Sequence, residues 1–151
     1  MSLLESPSDA QSQHRRLLLW VGLTALVLLS IVLWLAFRFY PEKQAAEKFF
    51  DALVAGDTAR AYQLWKPGSS YKMADFLADW GPNGYYGPVK SYHIKSVGYP
   101  HGGKNPSGVL VTVEISPFSP FPPPEDVEKS RKTKVVTIWV ETRDKSFSFP
   151  P

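Results

Sequence analysis

The groups in this sequence able to do acid–base or nucleophilic chemistry are few. His93 is a candidate general base if it points into a pocket, because an imidazole titrates near neutrality; the alternative for a lone histidine is a structural or surface role. His101 lies beside Gly102 and Gly103 in a loop-like stretch and His14 stands in the N-terminal tail, so no two of the three histidines have metal-ligand spacing. Asp75 and Asp79 are four residues apart and would share a helix face, the arrangement of a carboxylate pair for acid–base work. The same spacing beside Lys72 also describes a solvated helix face. Cysteine is absent, which removes disulfides, thiolate metal sites and cysteine nucleophiles. No phosphate-binding glycine loop, nucleophile elbow or zinc-protease motif occurs. Neither a cofactor nor a metal is implied.

The aromatic residues and a proline-rich stretch supply two further candidates. Tyr62, Trp65, Tyr85 and Tyr86, together with His93, could line a ligand pocket in which hydroxyl and indole groups orient a small molecule. The competing interpretation is that the helices of a small domain use large rings to fill their core. Residues 83–87, Asn-Gly-Tyr-Tyr-Gly, would form the rim of such a pocket. Further on, residues 116–134 read SPFSPFPPPEDVEKSRKTK. Their prolines favour extended polyproline geometry, with Phe118 and Phe121 expected to stand exposed between them. Pro117, Phe118, Pro120, Phe121, Pro122 and Pro123 are therefore candidates for docking a partner protein, unless the stretch is a spacer. The basic cluster Lys129, Arg131, Lys132 and Lys134 could touch anionic headgroups or guard an edge strand.

The elements that must position these residues follow from hydrophobic periodicity. Ala45, Ala46, Phe49, Phe50, Leu53 and Val54 fall on one face of a helix, with Glu42, Lys43, Glu47, Lys48 and Asp51 on the other. Gly56 closes that helix and Asp57 caps the next, whose apolar side is Ala61, Tyr62, Leu64 and Trp65. A third helix, capped by Ser69 or Ser70, carries Met73, Phe76, Leu77 and Trp80 and ends at Gly81-Pro82. From Gly87 the period becomes two. Tyr92 and Ile94 define one strand, Val109, Val111, Val113 and Ile115 a second, and Val136, Ile138 and Val140 a third, with a last strand containing Phe147 and Phe149. Helices followed by an antiparallel meander indicate an α+β domain.

Ahead of this domain, residues 17–37, LLLWVGLTALVLLSIVLWLAF, contain no charged side chain. At about 1.5 Å per residue, this helix would cover about 30 Å, the hydrocarbon thickness of a bilayer. Arg15 and Arg16 stop the run on one side and Arg38, Glu42 and Lys43 on the other, while Trp20, Trp34, Phe39 and Tyr40 suit headgroup levels. A cleaved signal peptide would need small residues where Trp34, Leu35, Phe37 and Phe39 stand, so an uncleaved anchor is expected. The division is then a disordered cytoplasmic tail over 1–16, a transmembrane helix over 17–39 and a soluble domain over 41–151. The Arg pair before the first span favours a cytoplasmic N-terminus and an extracytoplasmic, periplasmic domain, as for an inner-membrane anchor in bacteria. Setting aside Arg15, Arg16, Arg38, Glu5 and Asp9, the domain keeps 14 basic and 12 acidic side chains. That balance gives no reason to expect nucleic acid as a partner.

The phrase AAEKFFDALVAGD over residues 45–57, leading into Ala61, Tyr62 and Leu64, resembles the nuclear transport factor 2-like superfamily. The resemblance spans residues 41–149 and implies a cone, with helices packed in the concave side of a curved antiparallel sheet. A cystatin-like fold, a sheet wrapped around one helix, is the alternative. The superfamily includes isomerases, hydratases and transport factors. It also includes accessory domains of membrane and secretion machinery. No motif here matches the carboxylates and tyrosine that its isomerases use, and fold alone does not carry a function. The expectation is a membrane-anchored binding or assembly module, partnered by the lipid bilayer and by another membrane or membrane-associated protein. The alternatives are a small pocket enzyme or ligand carrier, and a structural subunit of a larger membrane complex.

Overall fold

A computed structural model describes residues 7–101 and 106–150 and divides into two compact units, Met1–Arg38 and Phe39–Pro151. Residues 1–6 of the tail and the glycine pair at 102 and 103 lie outside the described residues.

In the first unit, helix α1 spans Pro7–Phe37. It is long and apolar enough to cross a membrane, by length and composition. It begins well before Leu17, so the expected disordered tail is helical from Pro7 onward. Residues 8–16 contain neither Gly nor Pro. A helix nucleated in the apolar segment extends back through them at the low cost of propagation. The two hydroxyls inside the apolar run are satisfied locally. Thr24 Oγ1 donates to the Trp20 carbonyl and Ser30 Oγ to the Leu26 carbonyl, both at 2.8 Å. The Arg38 guanidinium lies 5.1 Å from the centroid of the Trp34 ring.

The second unit is α+β. Helix α2 spans Tyr40–Val54, α3 Thr58–Trp65 and α4 Met73–Trp80. The break before α2 falls at Arg38 and Phe39, and Pro41 occupies the first turn of the helix, where its missing N–H costs nothing. Gly56 takes φ +74, as a left-handed helix stop requires, and Asp57 Oδ1 accepts the Arg60 N–H at 3.1 Å. Neither serine caps α4. Its first turn is held instead by the Asp75 carboxylate, which accepts the Lys72 N–H at 2.9 Å.

A four-stranded antiparallel sheet follows in the order β1 (Ser91–Gly98), β2 (Gly108–Ser116), β3 (Lys134–Glu141) and β4 (Phe147–Ser148). Ile94 pairs with Val113 and Ser96 with Thr112, so Lys95 is left over as a bulge that blunts the β1 edge. A short helix, α5 (Val127–Ser130), interrupts the connection from β2 to β3. The last strand is shorter than its sequence suggests. Phe149 leaves the sheet and its ring packs on Trp65, Trp80 and Tyr86, with centroids 5.3, 6.0 and 5.8 Å away. Pro150 then has no N–H to continue the ladder.

The core lies between the helices and one face of the sheet. Ala46, Phe49, Phe50, Leu53, Trp65, Phe76 and Trp80 meet Val109, Val111, Val113, Ile115, Val136, Ile138, Val140 and Phe147 there, all buried. Val54 belongs to the exposed side after all, and Ala52 to the buried side. A larger correction concerns Glu42, placed by periodicity on the polar face but in fact only 4% exposed. Lys145 Nζ lies 3.0 Å from its Oε1. At the base of α4, Gly87 comes so close to the preceding turn that an added Cβ would stand 1.8 Å from the Gly81 carbonyl oxygen.

Candidate functional site

The five candidate pocket residues do not come together. Trp65 is 3% exposed, with the Phe49, Phe147 and Phe149 rings at 5.1, 5.6 and 5.3 Å. Tyr62 packs on Phe76 at 5.4 Å, and its hydroxyl donates to the Tyr71 carbonyl at 3.0 Å. Tyr86 stacks on Trp80 at 4.8 Å. Among the described residues, these three side chains pack against neighbouring rings. Three short helices on a four-stranded sheet need ring-sized side chains to fill the space, and packed rings add about 0.5–1.5 kcal/mol per pair beyond burial. Tyr85 is 68% exposed on the loop before β1, with Lys134 Nζ 4.8 Å from its ring centroid and donating to its carbonyl. His93 is exposed on the outer face of β1.

The aspartate pair is likewise spoken for. Asp75 holds the start of α4, while Asp79 Oδ2 accepts the Tyr71 hydroxyl at 2.6 Å. Burial, and then that hydrogen bond to Asp79, push the Tyr71 hydroxyl well above the ordinary tyrosine range. Tyr92 repeats the pattern, donating to Asp51 Oδ1 at 2.7 Å and tying β1 to α2. Its hydroxyl is also pushed up, first by burial and then by Asp51. Both tyrosines are neutral cross-braces between elements.

His93 does meet a second group of candidates. Residues 116–134 fold back onto the outer face of the sheet, so that His93, Glu114, Phe121, Pro122, Pro123, Pro124, Ser130 and Thr133 surround an open cleft of about 590 Å³. The His93 and Phe121 rings are 6.3 Å apart. Phe118 and Phe121, expected to be exposed, are half-buried, and Pro122 is buried. The connection is stapled at its start. Ser91 Oγ donates to the Phe118 carbonyl at 2.5 Å, the Phe118 N–H donates to the buried Ser116 Oγ at 3.1 Å, and the Lys90 N–H reaches the Ser116 carbonyl at 2.8 Å. Lys129 and Lys132 place their ammonium groups 5.8 and 5.6 Å from the Phe118 centroid. Part of the basic cluster thus packs on the connection itself. Pro117 is half-buried and Pro120 exposed outside this cleft.

Three polar side chains of the cleft are already engaged. Glu114 pairs with Lys95 at 2.9 Å. Ser130 Oγ donates to the Pro123 carbonyl at 3.2 Å, and Thr133 Oγ1 to the Ser130 carbonyl at 2.7 Å. Asp126 caps α5 by accepting the Lys129 N–H at 3.2 Å, and that bond holds its carboxyl below the usual carboxylate range. Among the described residues, no three His, Asp or Glu side chains gather so as to hold a metal ion. The arrangement is a proline and phenyl wall beside one imidazole.

A second depression on the same sheet face, about 540 Å³, is lined by Pro100, Leu110, Trp139, Glu141, Ser148 and Pro150. Trp139 Nε1 donates to Glu141 Oε1 at 2.8 Å. Sequence reasoning passed over this tryptophan. Its signal was present, since Trp139 alternates out of phase with Val136, Ile138 and Val140 and must face away from the core.

No family model, curated protein or solved structure matches the chain.

Proposed function

We propose that this chain is a single-pass membrane-anchored binding or assembly module, with a nuclear transport factor 2-like domain that carries its partner site outside the core. The observation that carries the proposal is the proline-rich connection. It is pinned to β1 and β2 through Ser91 and Ser116 and walls a cleft beside His93. Preordered prolines lose little entropy on binding, so a partner segment gains contact without first having to freeze the wall. The apolar length of α1 supports membrane attachment. The alternative of an enzyme or ligand carrier working from the cone interior has the less support, since Phe49, Phe50, Trp65, Phe76, Trp80 and Phe147 fill that space.

The test is photo-crosslinking in cells, with a photoreactive residue at Phe121 or Pro123 of the full chain. A discrete adduct from both positions is the expected outcome, with the Pro123 adduct lost when His93→Ala is combined with Phe121→Ala. A well-expressed chain that yields no adduct at either position would overturn the docking role. The domain is proposed to lie outside the cytoplasm. Alkaline phosphatase fused after Pro151 in a bacterial host would then be active, and an inactive fusion at normal expression would reverse the orientation.

A further inference from the structure

The second unit has two distinct ends. At one end stand Phe39, Tyr40, the end of β1 and the turn between β3 and β4. Tyr99 packs edge-on against Phe39 with centroids 5.0 Å apart. The Thr142 N–H donates to the Ser107 carbonyl at 2.9 Å. Tyr99, Pro106, Ser107, Glu141, Thr142, Arg143 and Asp144 together border an open cleft of about 550 Å³. At the other end of the sheet, Ser91 pairs with Ser116 and Ile115 with Lys134, and the proline-rich connection is attached there. Seven or eight residues of strand separate the ends, roughly 25 Å at 3.3 Å per residue.

Chain connectivity limits how far Phe39 can stand from the end of α1. Phe39 stands two residues after Phe37, the last residue of α1. At about 3.8 Å per residue, that link holds it within about 8 Å of Phe37 whatever angle the two units adopt. Tyr40 is 52% and Tyr99 48% exposed, and the two tyrosines are large apolar rings with polar tips at this end of the domain. Such rings favour the headgroup level of a membrane. Part of the charge at this end is matched within the domain, and Arg143 adds a cation to the face itself. Lys145 faces Glu42 at 3.0 Å, Lys43 faces Glu47 at 3.8 Å, and Lys66 Nζ donates to the Asp144 carbonyl. The basic residues Lys129, Arg131 and Lys132 belong to the opposite end, where the sequence alone had offered them to anionic lipid.

We infer that the face formed by Tyr40, Tyr99 and the turn at Thr142 and Arg143 rests on the lipid headgroup layer, held by its aromatic rings rather than by net charge. The inference rests on the membrane-anchored proposal above and adds the surface and the kind of contact. It leaves the proline-walled cleft and the basic cluster facing away from the lipid, available to a partner.

The sequence lacks cysteine, so single-cysteine variants of the full chain can be labelled uniquely with an environment-sensitive fluorophore in phosphatidylcholine vesicles. Thr142→Cys reports on the proposed face, Glu128→Cys on the opposite end and Leu26→Cys on α1. With nitroxide-headgroup lipid, quenching at Thr142→Cys should exceed that at Glu128→Cys by about threefold or more, given the roughly 25 Å between the ends, and should not change with salt. Equal quenching at the two positions would overturn the inference. Quenching released by salt would do so too, because the contact would then be ionic. Adding Tyr99→Asp to Thr142→Cys should lower quenching toward the Glu128→Cys level without reaching it, because the link to α1 still holds Phe39 near the helix end. Tyr99→Phe keeps the ring against Phe39 and should retain the quenching, which separates lost contact from lost folding. Leu26→Cys with acyl-chain nitroxide tests the anchor itself. If that label is unquenched, the membrane proposal falls and takes this inference with it; if it is quenched while Thr142→Cys is not, only the inference falls.

Discussion

Lys145 holds its ammonium 3.0 Å from the Glu42 carboxylate, joining the first turn of α2 to the turn after β3. Glu42 is buried, its Oε2 has no hydrogen-bond partner among the described residues, and Lys145 itself sits at φ +58. Removing the cation leaves a buried carboxylate without its partner, a cost of about 1–3 kcal/mol. Lys145→Ala should therefore lower the stability of the full chain in mild detergent by that order. Glu42→Gln, which removes the buried charge but keeps the shape, should cost less. Urea unfolding followed by tryptophan fluorescence measures both. Equal losses would mean that the attraction within the pair, rather than the uncompensated carboxylate, sets the cost.

The aromatic core sets the second expectation. Phe49 is fully buried and its ring has the Phe50, Trp65, Trp80 and Phe147 rings within 5.1 to 5.3 Å. Phe49→Ala should cost about 3–5 kcal/mol, because a large buried ring leaves a cavity its neighbours cannot close. Tyr85→Ala, at a residue 68% exposed, should stay within about 0.5 kcal/mol. Comparable losses would contradict the placement of these two rings.

Backbone crowding at Gly87 yields a third. A Cβ there would stand 1.8 Å from the Gly81 carbonyl oxygen and 2.8 Å from its carbon. These are main-chain atoms that no rotamer change can move aside, so Gly87→Ala should destabilise by about 1–3 kcal/mol. At Gly68, where nothing lies within 4 Å of an added Cβ, the same substitution should be tolerated. Thermal unfolding by circular dichroism compares the two.

A fourth concerns alkaline pH. The hydroxyls of Tyr71 and Tyr92 are raised above the ordinary tyrosine value, chiefly by burial and then by their bonds to Asp79 and Asp51. The folded state thus holds these protons more tightly than the unfolded state, whose tyrosines titrate near pH 10. Their contribution is complete below about pH 10 and is lost as pH rises beyond it. The urea midpoint should be flat from neutrality to about pH 9 and then fall. In the double variant Tyr71→Phe, Tyr92→Phe the fall should be shallower, starting from a lower neutral stability. A decline equally steep in that variant would assign the alkaline transition to other groups.

Much of the architecture was legible because it is local. The uncharged run at residues 17–37, the left-handed stop at Gly56 and the cap at Asp57 depend on neighbours within a turn or two. The two-residue alternation of Val109 through Ile115 follows the pleat of any half-buried strand. Among the site candidates, the proline-rich stretch was legible as a surface for recognition, but its conformation was not. Phe118 and Phe121 are apolar enough to fold back on the sheet, and Ser91 and Ser116, placed by strand pairing, help to decide where.

The sequence by itself determined the apolar helix, the α+β order and the separation of core face from outer face along each strand, since each follows from short-range periodicity. The tertiary structure alone decided that Trp65 fills the core with Tyr86 packed against it, that His93 meets Phe121, and that Tyr99 returns to Phe39. It also decided that Glu42 is buried against a lysine 103 residues away. Such contacts depend on which distant segments the sheet and the helix hairpin bring together, and no local period encodes that choice.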